Sequence, residues 1–158
     1  MQGDMGSERE TVGSLIAALG EAVGLSDLSL QEEDACGLSF DDIAVTLAYD
    51  EESGALVIST LLQSLEEPLD AAAMVRVMDL NAILFNHDAA AIVYDRDELA
   101  VFQLFRITAA DLSKERFLSW VERSVSTIET THDAVQKALA AEPEEEIMDP
   151  GEMSFFRP

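Results

Sequence analysis

Hydrophobic positions recur with two different periods along the chain, and the changes from one to the other divide it into elements. From Glu8 to Val23, the residues Val12, Leu15, Ile16, Leu19 and Val23 return every three or four positions. This spacing predicts an amphipathic helix, with Gly24 as the residue that ends it. Leu25, Leu28 and Leu30 alternate loosely with Ser and Asp and read as an extended connector, followed by a turn at QEED (31–34) and a short strand at ACGLSF (35–40). The next stretch, DDIAVTLAYDEESGALVIST (41–60), has period two: Ile43, Val45, Leu47 and Tyr49 are large, while Ala44, Thr46 and Ala48 are small. A hairpin with the four-residue loop Glu51-Glu52-Ser53-Gly54 sets Tyr49 opposite Leu56, Leu47 opposite Ile58, Val45 opposite Thr60 and Ile43 opposite Leu62. All the large side chains then share one face, and Gly54 takes the positive-φ position; a five-residue loop would mix the faces. The other face, Ala44, Thr46 and Ala48 with Val57, Ser59 and Leu61, is small enough for another backbone to come close.

Pro68 suits the first turn of a second helix, although Glu66 and Glu67 are weak caps for it. From Leu69 to Phe85 this helix carries two apolar stripes, one of Leu69, Ala73, Val77, Leu80 and Leu84, the other of Met74, Met78 and Phe85 flanked by Val75. A helix apolar on more than one side is buried on more than one side, and in so short a chain the second burying surface is expected to be another subunit. NHD (86–88) is expected to break the helix. AAIVYD (90–95) and ELAVFQLFRI (98–107) form a second hairpin, and a long last helix follows, capped by Thr108 or Asp111 and ending before Pro143. Leu112, Phe117, Val121, Ile128, Val135 and Leu139 make its apolar face, with Trp120 and Val125 beside it. The order α-β-β-β-α-β-β-α predicts an α+β fold, a twisted antiparallel sheet with helices packed on it. Residues 1–7 are expected to be a flexible N-terminus, 8–141 a single α+β domain, and 142–158 an acidic, disordered tail in which Phe155 and Phe156 form a candidate docking motif.

Charge narrows the function. The net charge is −23, and between Glu10 and Val75 stand fourteen Asp and Glu with no Lys or Arg. Nucleic acid and anionic membrane surfaces need cationic partners and are excluded as ligands. A protein partner, above all a cationic one, is allowed. No run approaches the about 18–20 apolar residues of a membrane span, and MQGDMGSERE lacks the pattern of a secretory signal. The single thiol, Cys36, excludes an internal disulfide framework and a Cys-based zinc site. His87 and His132 belong to no metal-binding or Cys–His pattern, the acidic runs do not match an EF-hand, and Asp41-Asp42 reads as a solvated strand start. No catalytic residue, metal ligand or cofactor is expected, and the chain reads as a non-enzyme.

LIAALGEAVGLSDLSLQEEDACGLSFDDIAVTLAYDEESGALVISTLLQSL (15–65) resembles the N-terminal half of the class I type III secretion chaperones, the Tir-chaperone-like family. The matching parts are Val23-Gly24-Leu25, Leu28 and Leu30, the acidic turn Glu32-Glu33-Asp34, Cys36-Gly37-Leu38, Asp41-Asp42 and the hairpin through Leu62. MVRVMDLNAILFNHDAAAIVYDRDELAVFQLFRI resembles the family's central helix, with its Leu80-Asn81 step and two strands after it, and Arg116-Phe117 matches the start of the closing helix. The resemblance covers roughly residues 10–140. It implies a small, acidic, cytoplasmic bacterial homodimer that binds an extended N-terminal segment of a secreted effector and keeps it soluble and secretion-competent. It also implies a dimer seam on the central helix and following strands, here Met74, Val75, Met78 and Phe85 with Val101 and Phe102. Effector contacts would fall on Val12, Leu19 and Val23 of the first helix and on Ala44, Thr46, Ala48, Val57 and Leu61 of the hairpin.

The alternative is an acidic inhibitor or immunity-type protein that masks a folded basic partner, a reading motivated by the cation-free half of the chain. Oligomeric state discriminates, since a monomer at micromolar concentration counts against the chaperone, and Met78→Glu tests the place of the seam. The substitution places a charge in the expected seam and should give monomer or aggregate in sedimentation velocity. An unchanged dimer of unchanged stability would put the seam elsewhere.

Overall fold

The two hydrophobic periods resolve into eight elements in the computed structural model, which describes residues 5–31, 34–88 and 90–141. In chain order they are helix α1 (Met5–Val23), strands β1 (Ala35–Phe40), β2 (Ile43–Asp50) and β3 (Ala55–Ser64), helix α2 (Ala71–Asp88), strands β4 (Ala90–Asp95) and β5 (Ala100–Thr108), and helix α3 (Lys114–Ala140). The order is the expected one, and α1 starts at Met5, ahead of the expected Glu8. Residues 1–4, Glu32 and Glu33 of the expected turn, Ala89, and the expected tail 142–158 with Phe155 and Phe156 lie outside the described residues.

The strands form one antiparallel sheet in the order β1-β2-β3-β5-β4. Period-two alternation gives it two unlike faces. Leu38, Val45, Leu47, Leu56, Ile58, Leu62, Val101 and Phe105 are buried on the inner face. Against them α3 packs Phe117, Trp120, Val121, Ile128 and Val135, and α1 packs Val12, Leu15, Ile16 and Leu19. Two polar contacts join α3 to the sheet: the buried Gln103 donates from Nε2 to Thr131 Oγ1 at 3.1 Å, with Thr131 donating on to the Thr127 carbonyl at 2.8 Å, and Gln136 donates from Nε2 to Gln63 Oε1.

The start of α1 is fastened to the sheet. Tyr49 donates its hydroxyl to Glu8 at 3.2 Å, and Arg9 pairs with Asp34 and, at 2.8 Å, with Glu51. Burial, and then the carboxylate of Glu8, pushes the Tyr49 phenol up from its ordinary value. The helix ends as expected at Gly24, whose φ is +78°, and the Leu25 N–H closes on the Gly20 carbonyl at 2.7 Å. Gly20 carries a constraint the periodicity does not show. A Cβ there would stand 2.4 Å from the Leu25 carbonyl oxygen and 2.9 Å from Leu28 Cβ, so the connector lies directly on the helix.

The helix boundaries correct three expectations. Asp70, rather than Glu66 or Glu67, caps α2: its Oδ1 accepts the Ala73 N–H at 2.7 Å, and Pro68 precedes the cap. NHD does not break α2, which continues to Asp88, because Asn, His and Asp are weak helix formers and not breakers. Ser113, rather than Thr108 or Asp111, caps α3 by accepting the Arg116 N–H at 3.3 Å; Thr108 ends β5, and Asp111 sits at φ +58° in the turn between them.

The hairpin has the expected loop and register: Tyr49 faces Leu56, Leu47 faces Ile58, and Gly54 sits at φ +62°. Its pairing stops earlier than expected, at Thr46 and Ser59, so Val45–Thr60 and Ile43–Leu62 are not ladder pairs. Two features account for this. β3 shifts register against β5 between Leu61 and Gln63, and the Thr60 hydroxyl takes the Ala44 carbonyl at 2.7 Å, the acceptor a ladder bond would use. Asp41-Asp42 is a tight turn between β1 and β2, with Asp41 at φ +49°, and not a strand start.

Helix α2 sits at the β4 end of the molecule. Its stripe of Ala73, Val77, Leu80 and Leu84 packs on the core. Arg76 donates to the Ala138 carbonyl at 2.7 Å and the Ala141 carbonyl at 3.0 Å, satisfying carbonyls that the end of α3 leaves without helical partners. Asn81 accepts the Ile92 N–H at 2.7 Å, on the side of β4 that faces away from β5.

The two interior glycines of α1 should respond oppositely to alanine. Gly20→Ala is expected to lose about 1–3 kcal/mol through the clash with Leu25 and Leu28. Gly13→Ala, with nothing within 4 Å of the new Cβ, should gain roughly 0.5–1 kcal/mol. Urea unfolding of both variants reads the contrast, and equal effects would contradict the close approach at Gly20.

Candidate functional site

Among the described residues, no group of three or more His, Cys, Asp and Glu side chains could hold a metal ion. Cys36 is buried, and burial pushes its thiol up, away from nucleophilic use. His132 is exposed on α3, with Asp133 at 3.9 Å. The surface instead offers apolar area that the chain leaves uncovered.

Among the described residues, no helix forms a layer on the outer face of the sheet. Registers Leu61↔Phe102 and Phe102↔Val93 place these three side chains in one row across β3, β5 and β4. Leu61 is 50% exposed and Val93 39%. Toward β1 this face sinks into a groove of about 650 Å³ lined by Gly37, Ser39, Ala44, Thr46, Ser59 and Leu61, with Leu25 and Phe102 at its ends. The hairpin's small side chains are what make the groove. A second apolar groove, of about 320 Å³, lies between α1 and α3, lined by Leu19, Ala22, Val23, Phe40, Leu118, Val121 and Val125, with Glu122 as its charged member. A third cleft, of about 480 Å³, opens beside the Asp41-Asp42 turn, with Leu61, Leu62, Ile128, Glu129 and His132 among its walls.

The expected seam residues divide by burial. Val75, Met78 and Phe85 are 57%, 63% and 68% exposed, and Met74 beside them is half-buried, so the second stripe of α2 is free on the protomer. Phe102 is half-buried on the outer face. Val101 is fully buried on the inner face, one residue out of phase with Phe102, and presents nothing to a partner. Among the expected effector contacts, Val12 is wholly inside the core and is not available to a ligand. Leu19 is also core, and its edge reaches the wall of the α1–α3 groove, where the exposed Val23 joins it. Ala44, Thr46 and Leu61 line the outer groove, and Ala48 and Val57 continue the same face toward the hairpin loop.

Sequence reasoning did not single out Ile83 and Val93 as exposed, or Phe40, Leu118 and Val125 as groove walls. Val93 was within reach, since it alternates with the inward Ile92. The α1–α3 groove was not, because it depends on the angle between two helices.

No individual curated protein matches the sequence. Solved structures match the fold. The ExsC–ExsE complex aligns with a TM-score of 0.66 at 23% identity, covering 83% of this chain and 95% of the other. The HopA1–SchA chaperone–effector complex aligns at 0.64 and 12% identity, covering 80% and 97%. The ExoT–SpcS complex from Pseudomonas aeruginosa aligns at 0.55 and 20% identity, covering 76% and 96%. A family model, that of the Tir chaperone protein (CesT) family, matches residues 14–132, which span α1 from Ser14, the whole sheet and most of α3. The chain belongs to the Tir chaperone protein (CesT) family.

Proposed function

We propose that the protein is a non-enzymatic, homodimeric type III secretion chaperone of the bacterial cytoplasm. It holds an extended N-terminal segment of a secreted effector in a soluble, secretion-competent form, without a cofactor. Residues 8–141 are the chaperone domain, and 142–158 are an acidic extension of it. The observation that carries this reading is that the protomer leaves apolar surface open in separate places, as a stripe on α2 and as two grooves.

The stripe suits a second copy. Fully burying one large apolar side chain is worth roughly 1.5–3 kcal/mol, and a two-fold seam buries each residue twice. With Val75, Met78 and Phe85 more than half exposed, the gain is of the same order as the about 4–15 kcal/mol that association costs. The stripe alone therefore only balances association, and Phe102 and Val93 are the seam's remaining apolar members. The grooves suit a chain without a fold of its own, because an extended segment can lay alternate side chains into shallow apolar depressions. That HopA1–SchA is a chaperone–effector complex with the same fold supports the assignment.

Sedimentation at micromolar concentration should show a dimer, and Met78→Glu should dissociate it while leaving far-UV circular dichroism unchanged, since Met78 is exposed on the protomer. Val23→Asp should remain dimeric and lose at least tenfold in affinity for the effector segment recovered with the protein from its native host. That segment should be protease-sensitive when released. A monomeric wild type bound to a compactly folded basic protein would sink the proposal in favour of a masking role.

A further inference from the structure

Strands β2 and β3 stop pairing at Thr46 and Ser59, yet both continue. From there Ala44 and Val45 pair only with β1, and Thr60 and Leu61 only with β5. The sheet parts into a notch, bridged by the hydrogen bond from Thr60 Oγ1 to the Ala44 carbonyl. The outer groove and the cleft beside Asp41-Asp42 lie on opposite faces of the sheet, and both are walled by Ala44, Thr60 and Leu61. The two cavities thus meet at the notch from opposite sides, with the Thr60–Ala44 hydrogen bond between them.

The two sides of the notch differ in chemistry. The outer end is apolar and small, with Leu61 half-exposed at the crossing. The inner end holds Asp41, Asp42 and Glu129, and none of these carboxylates has an ion pair among the described residues. Resting on the chaperone reading, we propose that the bound segment passes over this notch. It sets an apolar side chain against Leu61, and a Lys or Arg among Asp41, Asp42 and Glu129. Charge complementarity selects this occupant. The chain's own last residues, EPEEEIMDPGEMSFFRP, carry six acids and one Arg and would be repelled, and a second copy carries the same net charge of −23.

Fluorescence anisotropy with the full-length dimer and synthetic peptides of alternating Leu and Ser, carrying a central Lys pair or a Gln pair, tests the assignment. The Lys peptide should bind about tenfold more tightly, the effect of a few exposed charge pairs acting together. Asp41→Asn/Asp42→Asn/Glu129→Gln should reduce that preference to less than about twofold. Glu52→Gln/Glu66→Gln/Glu67→Gln, which removes the same charge elsewhere on the surface, should keep it. Ala44→Trp, at an exposed position in the notch, should weaken both peptides. Equal binding of the Lys and Gln peptides, equal losses in the two triple variants, or no effect of Ala44→Trp would each overturn the proposal and leave the chaperone reading standing. Binding of neither peptide would also overturn the proposal, while the chaperone reading is decided by the segment recovered from the native host.

Discussion

The packing of α3 on the inner face of the sheet decides where every other element lies. At 27 residues α3 is about 40 Å long and reaches across the face. Phe117, Val121, Ile128 and Val135 supply the apolar contact, which by itself would tolerate sliding. The buried Gln103–Thr131 bond resists that sliding, because a shift along the helix would strand the Gln103 amide N–H in a dry layer. With α3 fixed, Arg76 ties α2 to its far end, and α1 fills the remaining inner surface. All three helices are then committed to the inner face or to the β4 end. Among the described residues there is no further element with which to cover the outer face.

Charge and exposed apolar surface belong together in this molecule. A monomeric chain with Val75, Met78, Ile83 and Phe85 all more than half exposed is an aggregation hazard. A net charge of −23 opposes random contact between copies. The exposed ion pairs do little for stability: Arg106–Asp50 and Lys114–Glu21 are separated by 3.7 Å and 3.6 Å, and such pairs contribute about 0–1 kcal/mol. The acidic surface is better understood as setting which associations form than as holding the fold.

Much of this was legible in the residues, for stated physical reasons. The hairpin register followed from requiring Leu47, Tyr49, Leu56 and Ile58 to share a face, since a one-residue slip exposes all of them. The second apolar stripe of α2 was visible as periodicity in excess of what one core contact needs. Caps were harder, because Asp70 and Ser113 compete with several nearby polar residues and only backbone geometry chooses among them. The notch was invisible, since it arises from a side-chain hydroxyl displacing a ladder bond. Val101 and Phe102 show the finest limit: adjacent residues of equal hydrophobicity lie on opposite faces, and period two fixes which is which only once the strand's phase is known.

Asn81 has a consequence for assembly. A sheet with two open margins can add strands at both and grow without limit, as fibrils do. Here α2 lies along β4, and the Asn81 carbonyl occupies the outward N–H of Ile92, closing that margin from within the protomer. Among the described residues the β1 margin stays open beyond Ala35, whose carbonyl takes the Gln31 N–H, and Asp34 before it and Asp41 and Asp42 after it place negative charge at both ends. A sheet with one addressable margin can accept a single extended guest and must stop there. Strand addition becomes a terminating event, and a protein made to hold sticky, unfolded chains is prevented from seeding a polymer of itself.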